Sequence, residues 1–287
     1  MKQYFENPLF WIIVYIVFAV IFAQEFKKSN RKMKNPNALT ILLEMLTALF
    51  AILFIPLFDF TLPSEPAIYI TLLIVTIIYA FTDRLNIEAR YGLDPSVFSM
   101  LKQLSTVFLL IFGFFILKEP LVTKKVIGAI LILIANILLT RNKKGKFTLN
   151  KYFIMCVISN FLFAIAMLIN VNISSQFNIA FYTIITVLVP SIFIKVFTRT
   201  SFKELKKEFN RYDKPRFILS AFSWCIMLIS SVKAYEYGSI SMVAPMLTLT
   251  IIFNSIIEFF NDKDKKKLIY KLLVSLLIIL GVILIKV

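Results

Sequence analysis

The sequence contains no histidine and only two cysteines, Cys156 and Cys225, each inside an apolar run. The lack of histidine removes the commonest transition-metal ligand and the usual proton shuttle at neutral pH. Two isolated cysteines provide neither a disulfide framework nor a metal-binding spacing. Walker-type phosphate loops and Gly-x-Ser-x-Gly nucleophile elbows are missing from the sequence as well. We therefore predict no cofactor, no metal and no catalytic residue, and the sequence supports neither an ATP-driven pump nor an enzyme.

Charge is scarce too. Charged residues make up 17% of the chain and hydrophobic residues 59%, whereas soluble domains contain about 25% charged residues. The net charge of +16 comes from basic residues, mostly lysine, in short runs between apolar segments. Such runs are typical of topological anchors in membrane proteins, and lysine is a poor reader of base edges. The sequence indicates a membrane protein in contact with lipid and no nucleic-acid partner.

Ten apolar runs approach the ~20 residues that an α-helix needs to cross the hydrocarbon layer. The predicted spans are 8–24, 38–57, 66–83, 95–117 and 124–141, followed by 150–170, 176–197, 215–233, 239–260 and 268–286. A proline stands at or near the start of four spans, where it suits a first helical turn. These prolines are Pro36, Pro66, Pro95 and Pro215. The predicted fold class is an all-α membrane protein with ten transmembrane helices.

A short pattern recurs at a distance of 146 residues. Tyr91-Gly92 is repeated as Tyr237-Gly238, and Met100-Leu101 as Met246-Leu247. Five spans per half give the two halves opposite orientations, as in many transporters. We predict two inverted five-helix repeats, residues 1–146 and 147–287, around one central cavity.

The loops that follow spans 1, 3, 5, 7 and 9 hold most of the Lys and Arg, whereas the loops at 58–65 and 171–178 hold none. The positive-inside rule predicts a protein of the cytoplasmic membrane with its basic loops in the cytoplasm and both termini outside.

Within the loop 199–216, Phe202, Leu205 and Phe209 have helical spacing. They favour a short surface helix on anionic lipid, with a solvated charge run as the alternative. The sequence is compatible with a homodimer.

Three consecutive segments share their order with a known family. Leu104-Ser105-Thr106-Val107 leads through an apolar run to the acidic elbow Leu117-Lys118-Glu119-Pro120-Leu121 and then to a glycine-containing helix at 125–133. This order resembles the second part of one half of an EamA-type protein of the drug/metabolite transporter superfamily. The resemblance implies ten helices, secondary transport and a peripheral position for spans 5 and 10. Many ten-helix members keep both termini in the cytoplasm, whereas the charges here predict the reverse.

Two charged residues fall well inside predicted spans, where each costs about 2.5–3.5 kcal/mol. Glu44 in span 2 and Lys102 in span 4, next to Gln103, lie at similar predicted depth. Glu44 is our candidate for proton coupling, and together the two charges are candidates for binding a zwitterionic solute. The alternatives are a structural ion pair, or a Lys102 that reaches towards the interface.

Further candidates are polar or aromatic side chains inside spans. Asn160, Asn170, Thr248 and Asn254 are placed either to line a substrate pocket or to bond between helices. Tyr15, Tyr79, Tyr182 and Trp224 are candidates for an aromatic wall, whereas Trp11 also fits an interfacial belt. We expect Asn136 to pack against a neighbouring helix.

Three expectations concern helix ends and kinks. Pro190 and Pro245 are expected to break or kink spans 7 and 9 and to free backbone carbonyls. Glu119 is expected to cap span 5, and Glu258 to reach water at the cytoplasmic end of span 9.

The sequence thus predicts a secondary transporter of a small organic metabolite, such as an amino acid or an amine, that works by alternating access. Two alternatives remain open. One is a flippase-like protein that moves a lipid-linked sugar or a lipid headgroup. The other is a receptor or assembly factor that keeps the fold without transport.

Overall fold

The computed structural model describes residues 6–116, 122–139, 150–169, 173, 176–238, 243 and 246–286 of the chain. Its regular elements are helices, and these ranges contain no strand. The all-α prediction is confirmed for this part of the chain. Three residues singled out above, Glu119, Asn170 and Pro245, lie outside it.

The helices of the first half are α1 (Pro8–Ser29), α2 (Pro36–Ile52), α3 (Pro66–Gly92), α4 (Pro95–Leu101), α5 (Leu104–Phe115) and α6 (Thr123–Leu139). The second half contributes α7 (Lys151–Ile169), α8 (Ile179–Phe197), α9 (Phe202–Phe209), α10 (Lys214–Tyr237), α11 (Thr250–Asp262) and α12 (Lys265–Lys286). Eleven of these twelve elements fall on predicted spans. The twelfth, α9, shows a short helix within the loop 199–216, whereas its contact with anionic lipid stays a prediction.

Local sequence signals explain where several helices begin. The side chain of Asn35 accepts a 3.2 Å hydrogen bond from the Ala38 amide at the start of α2, and Asn178 accepts one of 2.9 Å from Phe181 at the start of α8. Such caps satisfy amide groups that have no partner within the helix and stabilise it by about 1 kcal/mol. Proline at the first helical position, as in α2, needs no amide partner there.

Seven helical segments of the described chain are long and apolar enough to cross a membrane. They are Pro8–Ser29, Pro66–Gly92, Pro95–Phe115, Lys151–Ile169, Ile179–Phe197, Lys214–Tyr237 and Lys265–Ile285. Two further apolar helices, Pro36–Ile52 and Met246–Asn261, are shorter. The protein is therefore a multi-pass membrane protein, while a total of ten spans stays a prediction.

Two backbone expectations can be compared with the helix bounds. Span 3 was expected to end at residue 83, but α3 continues to Gly92, so the segment that includes Arg90 is helical rather than a loop. Pro190 was expected to break or kink span 7; α8 continues through it, so the helix is not broken there, and a kink stays a prediction. An interruption occurs instead at Lys102–Gln103, between α4 and α5, where no proline is present.

Helix packing crosses between the two halves of the chain. The most extensive contacts join α1 with α10, α3 with α7, α2 with α8, and α6 with α12. Helix α3 packs against α2, α7 and α8, and it brings its polar face into the middle of the bundle.

Candidate functional site

Three polar side chains share one face of α3. Asp83, Asn86 and Arg90 follow each other at intervals of three and four residues, the spacing of a helical stripe. The Asp83 carboxylate lies within electrostatic range of Arg90, of Lys102 and of Glu44. Helix α3 thus places one carboxylate among two cations and a second acid.

Arg90 is held between aromatic rings of two other helices. Its guanidinium carbon lies 4.7 Å from the ring centre of Phe22 on α1 and 3.9 Å from that of Phe98 on α4. Phe22 in turn stacks on Trp224 of α10, with ring centres 5.7 Å apart and planes inclined by 8°. Tyr15 of α1 is a further electrostatic neighbour of Arg90. Cation–π contacts in a desolvated setting contribute about 2 kcal/mol, so these rings fix the cation in place.

Lys102 stands at the interruption between α4 and α5. Its ammonium group lies 4.2 Å from the ring centre of Phe163 on α7, and Tyr79 packs on the same ring at 6.3 Å between centres. The neighbouring Gln103 is half-buried.

The interruption changes the hydrogen bonding of the backbone. The Ser105 amide donates to the carbonyl of Lys102 rather than to that of Leu101, which leaves the Leu101 carbonyl without its helical partner. Asn160 of α7 donates from Nδ2 to this carbonyl at 2.9 Å. This carbonyl is freed at a position without a proline, in addition to the one that Pro190, which has no amide hydrogen, leaves without a helical donor in α8.

Glu44 of α2 is fully buried, and neither carboxylate oxygen has a hydrogen-bond partner among the described residues. The ion pair predicted between Glu44 and Lys102 is not formed. Asp83 is instead an electrostatic neighbour of both residues. Similar depth in the membrane brings two side chains together only if their helices also turn the right faces towards each other.

A second set of polar contacts links helices of the two halves. The Gln24 amide of α1 donates to Oδ1 of Asn254 on α11 at 2.9 Å, and Asn254 donates from Nδ2 to Oγ of Ser99 on α4 at 3.3 Å. Ser159 of α7 donates to Oδ1 of Asn86 at 2.7 Å. Thr248 is buried ahead of α11. Asn160 and Asn254 therefore both bond between helices.

Three further residues singled out in the sequence have other neighbours than the charged side chains described above. Tyr182 is buried in an apolar cluster with Phe177, 6.1 Å away between ring centres. Trp11 is buried against Phe10 and Phe58, and its place in an interfacial belt stays a prediction. Asn136 donates from Nδ2 to the Ile132 carbonyl of its own helix at 2.7 Å.

Glu258 was expected to reach water, but only 8% of it is exposed. Its carboxylate accepts hydrogen bonds from the Ser96 amide at 2.7 Å, the Ser96 hydroxyl at 2.5 Å and the Lys271 ammonium at 2.5 Å. Lys271 also bonds to Asp94 at 3.1 Å. This network joins the start of α4 to α11 and α12.

Sequence reasoning missed Asp83, Asn86 and Arg90. The signal was present, because their three-to-four spacing continues the periodicity of span 3. It was overlooked because arginines near the end of an apolar run are usually loop anchors.

Residues 9–141 match the model of the EamA-like transporter family. This segment is EamA-like. The resemblance to the drug/metabolite transporter superfamily, to which that family belongs, is therefore confirmed, and it suggests a membrane transporter of this type.

Among solved structures, 22 chains are similar in fold. One of them, titled "Crystal structure of protein", superposes with a TM-score of 0.52 at 11% identity, over 96% of this chain and 97% of its own. At this identity the match shows a shared fold alone. No curated protein matches this chain.

Proposed function

We propose that the protein is a secondary transporter that moves a small organic metabolite across the cytoplasmic membrane by alternating access. The observation that carries this proposal is the set of ionisable groups inside the bundle: Asp83, Arg90, Lys102 and the unpartnered Glu44. Ionisable groups within membrane helices are costly and typically mark the path of a substrate or proton.

The pattern of helix contacts supports two inverted five-helix repeats at 1–146 and 147–287. If the helices correspond in chain order, exchanging the halves converts the α1–α10 contact into the α7–α3 contact. The α2–α8 and α6–α12 contacts convert into themselves. The interruption at Gln103 likewise has its counterpart 146 residues later, at the turn residue Leu249. A two-fold arrangement of this kind supports a shared site that opens to either side in turn.

The charges suggest a substrate with an acidic group. A carboxylate that is fully buried without a partner is far more stable as the neutral acid, so Glu44 carries a proton in this arrangement. Asp83 then faces two cations, Arg90 and Lys102, which leaves one positive charge for the substrate. A zwitterion such as an amino acid fits, with its carboxylate towards Lys102 and Arg90 and its amine towards Asp83.

Glu44 is the proposed proton-coupling residue. When a substrate amine approaches Asp83 and Glu44, the added positive charge favours the ionised form of Glu44, so binding releases a proton. We include the Gln103, Asn160, Asn254 and Thr248 side chains in the proposed binding site. Tyr15, Tyr79 and Trp224 are proposed to contribute its aromatic wall. Tyr182 and Asn170, the latter outside the described residues, remain further candidates.

The experiment is uptake of radiolabelled amino acids and amines into proteoliposomes, after a thermal-shift screen of the same compounds has identified a ligand. We expect Glu44→Gln to lose uptake driven by a proton gradient while it keeps ligand exchange. Glu65→Gln, at an exposed position, is the matched control and should behave as the unmodified protein. Undiminished proton-driven uptake by Glu44→Gln would remove this residue from the mechanism.

A separate measurement tests the proposed sidedness. Single cysteines at Ser64 and Lys203, both exposed, should react with an impermeant maleimide from opposite sides, with Lys203→Cys labelled only after the cells are opened. The natural Cys156 and Cys225 are buried and give little background. Labelling of both sites from the same side would refute the predicted topology.

A further inference from the structure

A groove between α3 and α8 is separate from the charged set described above. It has a volume of about 270 Å³, close to the lower end of the ~300–1,000 Å³ found for small-molecule sites. The start of α2, the second half of α3, the start of α7 and the end of α8 contribute its walls. In the predicted topology these four helix segments lie at the same surface of the membrane.

Three phenylalanines contribute to the apolar walls of the groove. Phe81 of α3 packs edge-on against Phe193 of α8, with ring centres 5.8 Å apart, and Phe193 stacks on Phe197 at the same distance. Phe81 and Phe197 are 46% and 70% exposed. Because this exposure lies on the outside of membrane helices, the occupant of the groove comes from the lipid phase.

One end of the groove is basic. Arg84 donates from Nη1 to Glu88 at 2.7 Å and from Nε to Asn37, and Lys151 bonds to the same Glu88 carboxylate at 3.1 Å. Two cations thus share one carboxylate, and a net positive charge remains. The second terminal amino group of Arg84, Nη2, makes no hydrogen bond within the described residues, and 62% of the Lys151 side chain is exposed.

An apolar channel that ends in two cations sharing one carboxylate, with a net positive charge, is complementary to a molecule with a hydrocarbon chain and an anionic head. Arginine binds phosphate through its planar fork, and basic pockets at helix ends bind anionic headgroups. We propose that this groove binds an anionic phospholipid of the surrounding membrane. Its phosphate lies at Arg84 and Lys151, and an acyl chain lies along Phe81, Phe193 and Phe197.

The test uses the purified full-length protein in neutral detergent with three soluble probes. These are short-chain phosphatidylglycerol, short-chain phosphatidylcholine and inorganic phosphate. A ligand that binds only the folded state raises the melting temperature, and the rise grows with the logarithm of the ligand concentration relative to its Kd. We expect a concentration-dependent rise with phosphatidylglycerol, and little change with phosphatidylcholine or phosphate.

Two variants separate the basic end from the apolar channel. Arg84→Gln removes one charge-assisted phosphate contact and should require about tenfold more phosphatidylglycerol for the same rise. Thr198→Trp, at the exposed rim of the groove, fills the channel while it keeps Arg84, and should also weaken the response. Lys203→Gln, an exposed position on α9, is the charge-matched control and should leave it unchanged.

Several results would overturn the proposal. Equal stabilisation by phosphatidylcholine would show general lipid solvation, and equal stabilisation by inorganic phosphate would show a site for the free anion. An unaltered response in Thr198→Trp would exclude the channel as the place of binding. If Arg84→Gln does not fold, the response of Thr198→Trp to phosphatidylglycerol still tests the proposal.

Discussion

The side chain of Asn160 on α7 donates a 2.9 Å hydrogen bond to the backbone carbonyl of Leu101 at the point where α4 and α5 separate. This contact ties the second half of the chain to the interruption that carries Lys102. It replaces the bond that a continuous helix would have supplied to the same carbonyl. The position of Lys102 over Phe163 therefore depends on a neighbouring helix as well as on its own.

The first prediction concerns this bond. Replacing Asn160 with Ala leaves the Leu101 carbonyl buried without a partner, which costs about 1–3 kcal/mol. We expect Asn160→Ala to lower the melting temperature in detergent and also to weaken substrate binding, because the interruption relaxes. Asn210→Ala, an exposed position after α9, is the control and should change neither property. An equally stable Asn160→Ala protein would show that the bond is dispensable.

The second prediction concerns acid. The pKa of Asp94, in the connection between α3 and α4, lies below its usual range: burial raises it, but the ammonium groups of Lys271 and Lys267 outweigh that effect. The nearest atoms of these pairs are 3.1 and 3.2 Å apart. A carboxylate with a lowered pKa adds stability above its unfolded pKa, near 3.9, and loses that stability as pH falls through the folded pKa.

We therefore expect the wild-type protein to lose more stability between about pH 5 and pH 3 than Asp94→Asn does. The difference should stay below about 1 kcal/mol, because 45% of the Asp94 side chain is exposed and water screens the pairs. Melting temperatures of both proteins across this range provide the test. Parallel pH profiles would show that the two lysines do not stabilise the ionised form.

The third prediction concerns the cytoplasmic loops of the predicted topology. Glu208 of α9 is 1% exposed and accepts hydrogen bonds from the Lys34 amide at 2.7 Å, from the Tyr212 hydroxyl at 3.1 Å and from the Arg211 guanidinium. Burial, together with the Glu208 carboxylate, raises the pKa of Tyr212 above its usual range. The phenol therefore stays a donor at physiological pH. The bond from the Lys34 amide to Glu208 joins the α1–α2 loop to α9.

Glu208→Ala should destabilise the protein by at least about 2 kcal/mol, because several donors lose a charged acceptor at once. Limited proteolysis should then cut first in the segment 199–216. The neighbouring Lys207→Gln, on the exposed side of α9, should melt and digest like the unmodified protein. If Glu208→Ala resists the protease as well as the unmodified protein does, this carboxylate does not hold α9 in place.

Much of the helical architecture could be predicted from short-range signals. Asn35-Pro36 and Asn178 mark helix starts because a polar side chain satisfies free amides and proline needs none. The end of α3 could not be read in the same way. Arg84 and Arg90 resemble loop anchors in sequence, whereas Arg84 is tied to Glu88 one turn away and Arg90 is enclosed by Phe22 and Phe98.

The site was predictable in its components and not in its pairing. Glu44 and Lys102 were identified because charge inside an apolar run is costly. Which charges face each other depends on the rotation of each helix about its axis, and no local pattern encodes the rotation of α2 relative to α5. Asp83 is thus an electrostatic neighbour of both Glu44 and Lys102, whereas their similar depth alone had predicted that these two residues pair directly.

The last prediction concerns the contact between α6 and α12, where two glycines face each other. A Cβ atom added at Gly281 would lie 2.7 Å from the carbonyl oxygen of Gly128 and 2.7 Å from Cγ1 of Ile132. One of these atoms is backbone, so relief requires the helices to separate rather than a side chain to rotate. We expect overpacking in Gly281→Ala to lower the free energy of unfolding by about 1–3 kcal/mol and so to lower the melting temperature. Leu280→Ala, which trims an outward side chain 52% exposed, should have a smaller effect than Gly281→Ala. If Gly281→Ala were instead as stable as the unmodified protein, α6 and α12 would have to be free to move apart at no cost, and close glycine packing would not fix their distance.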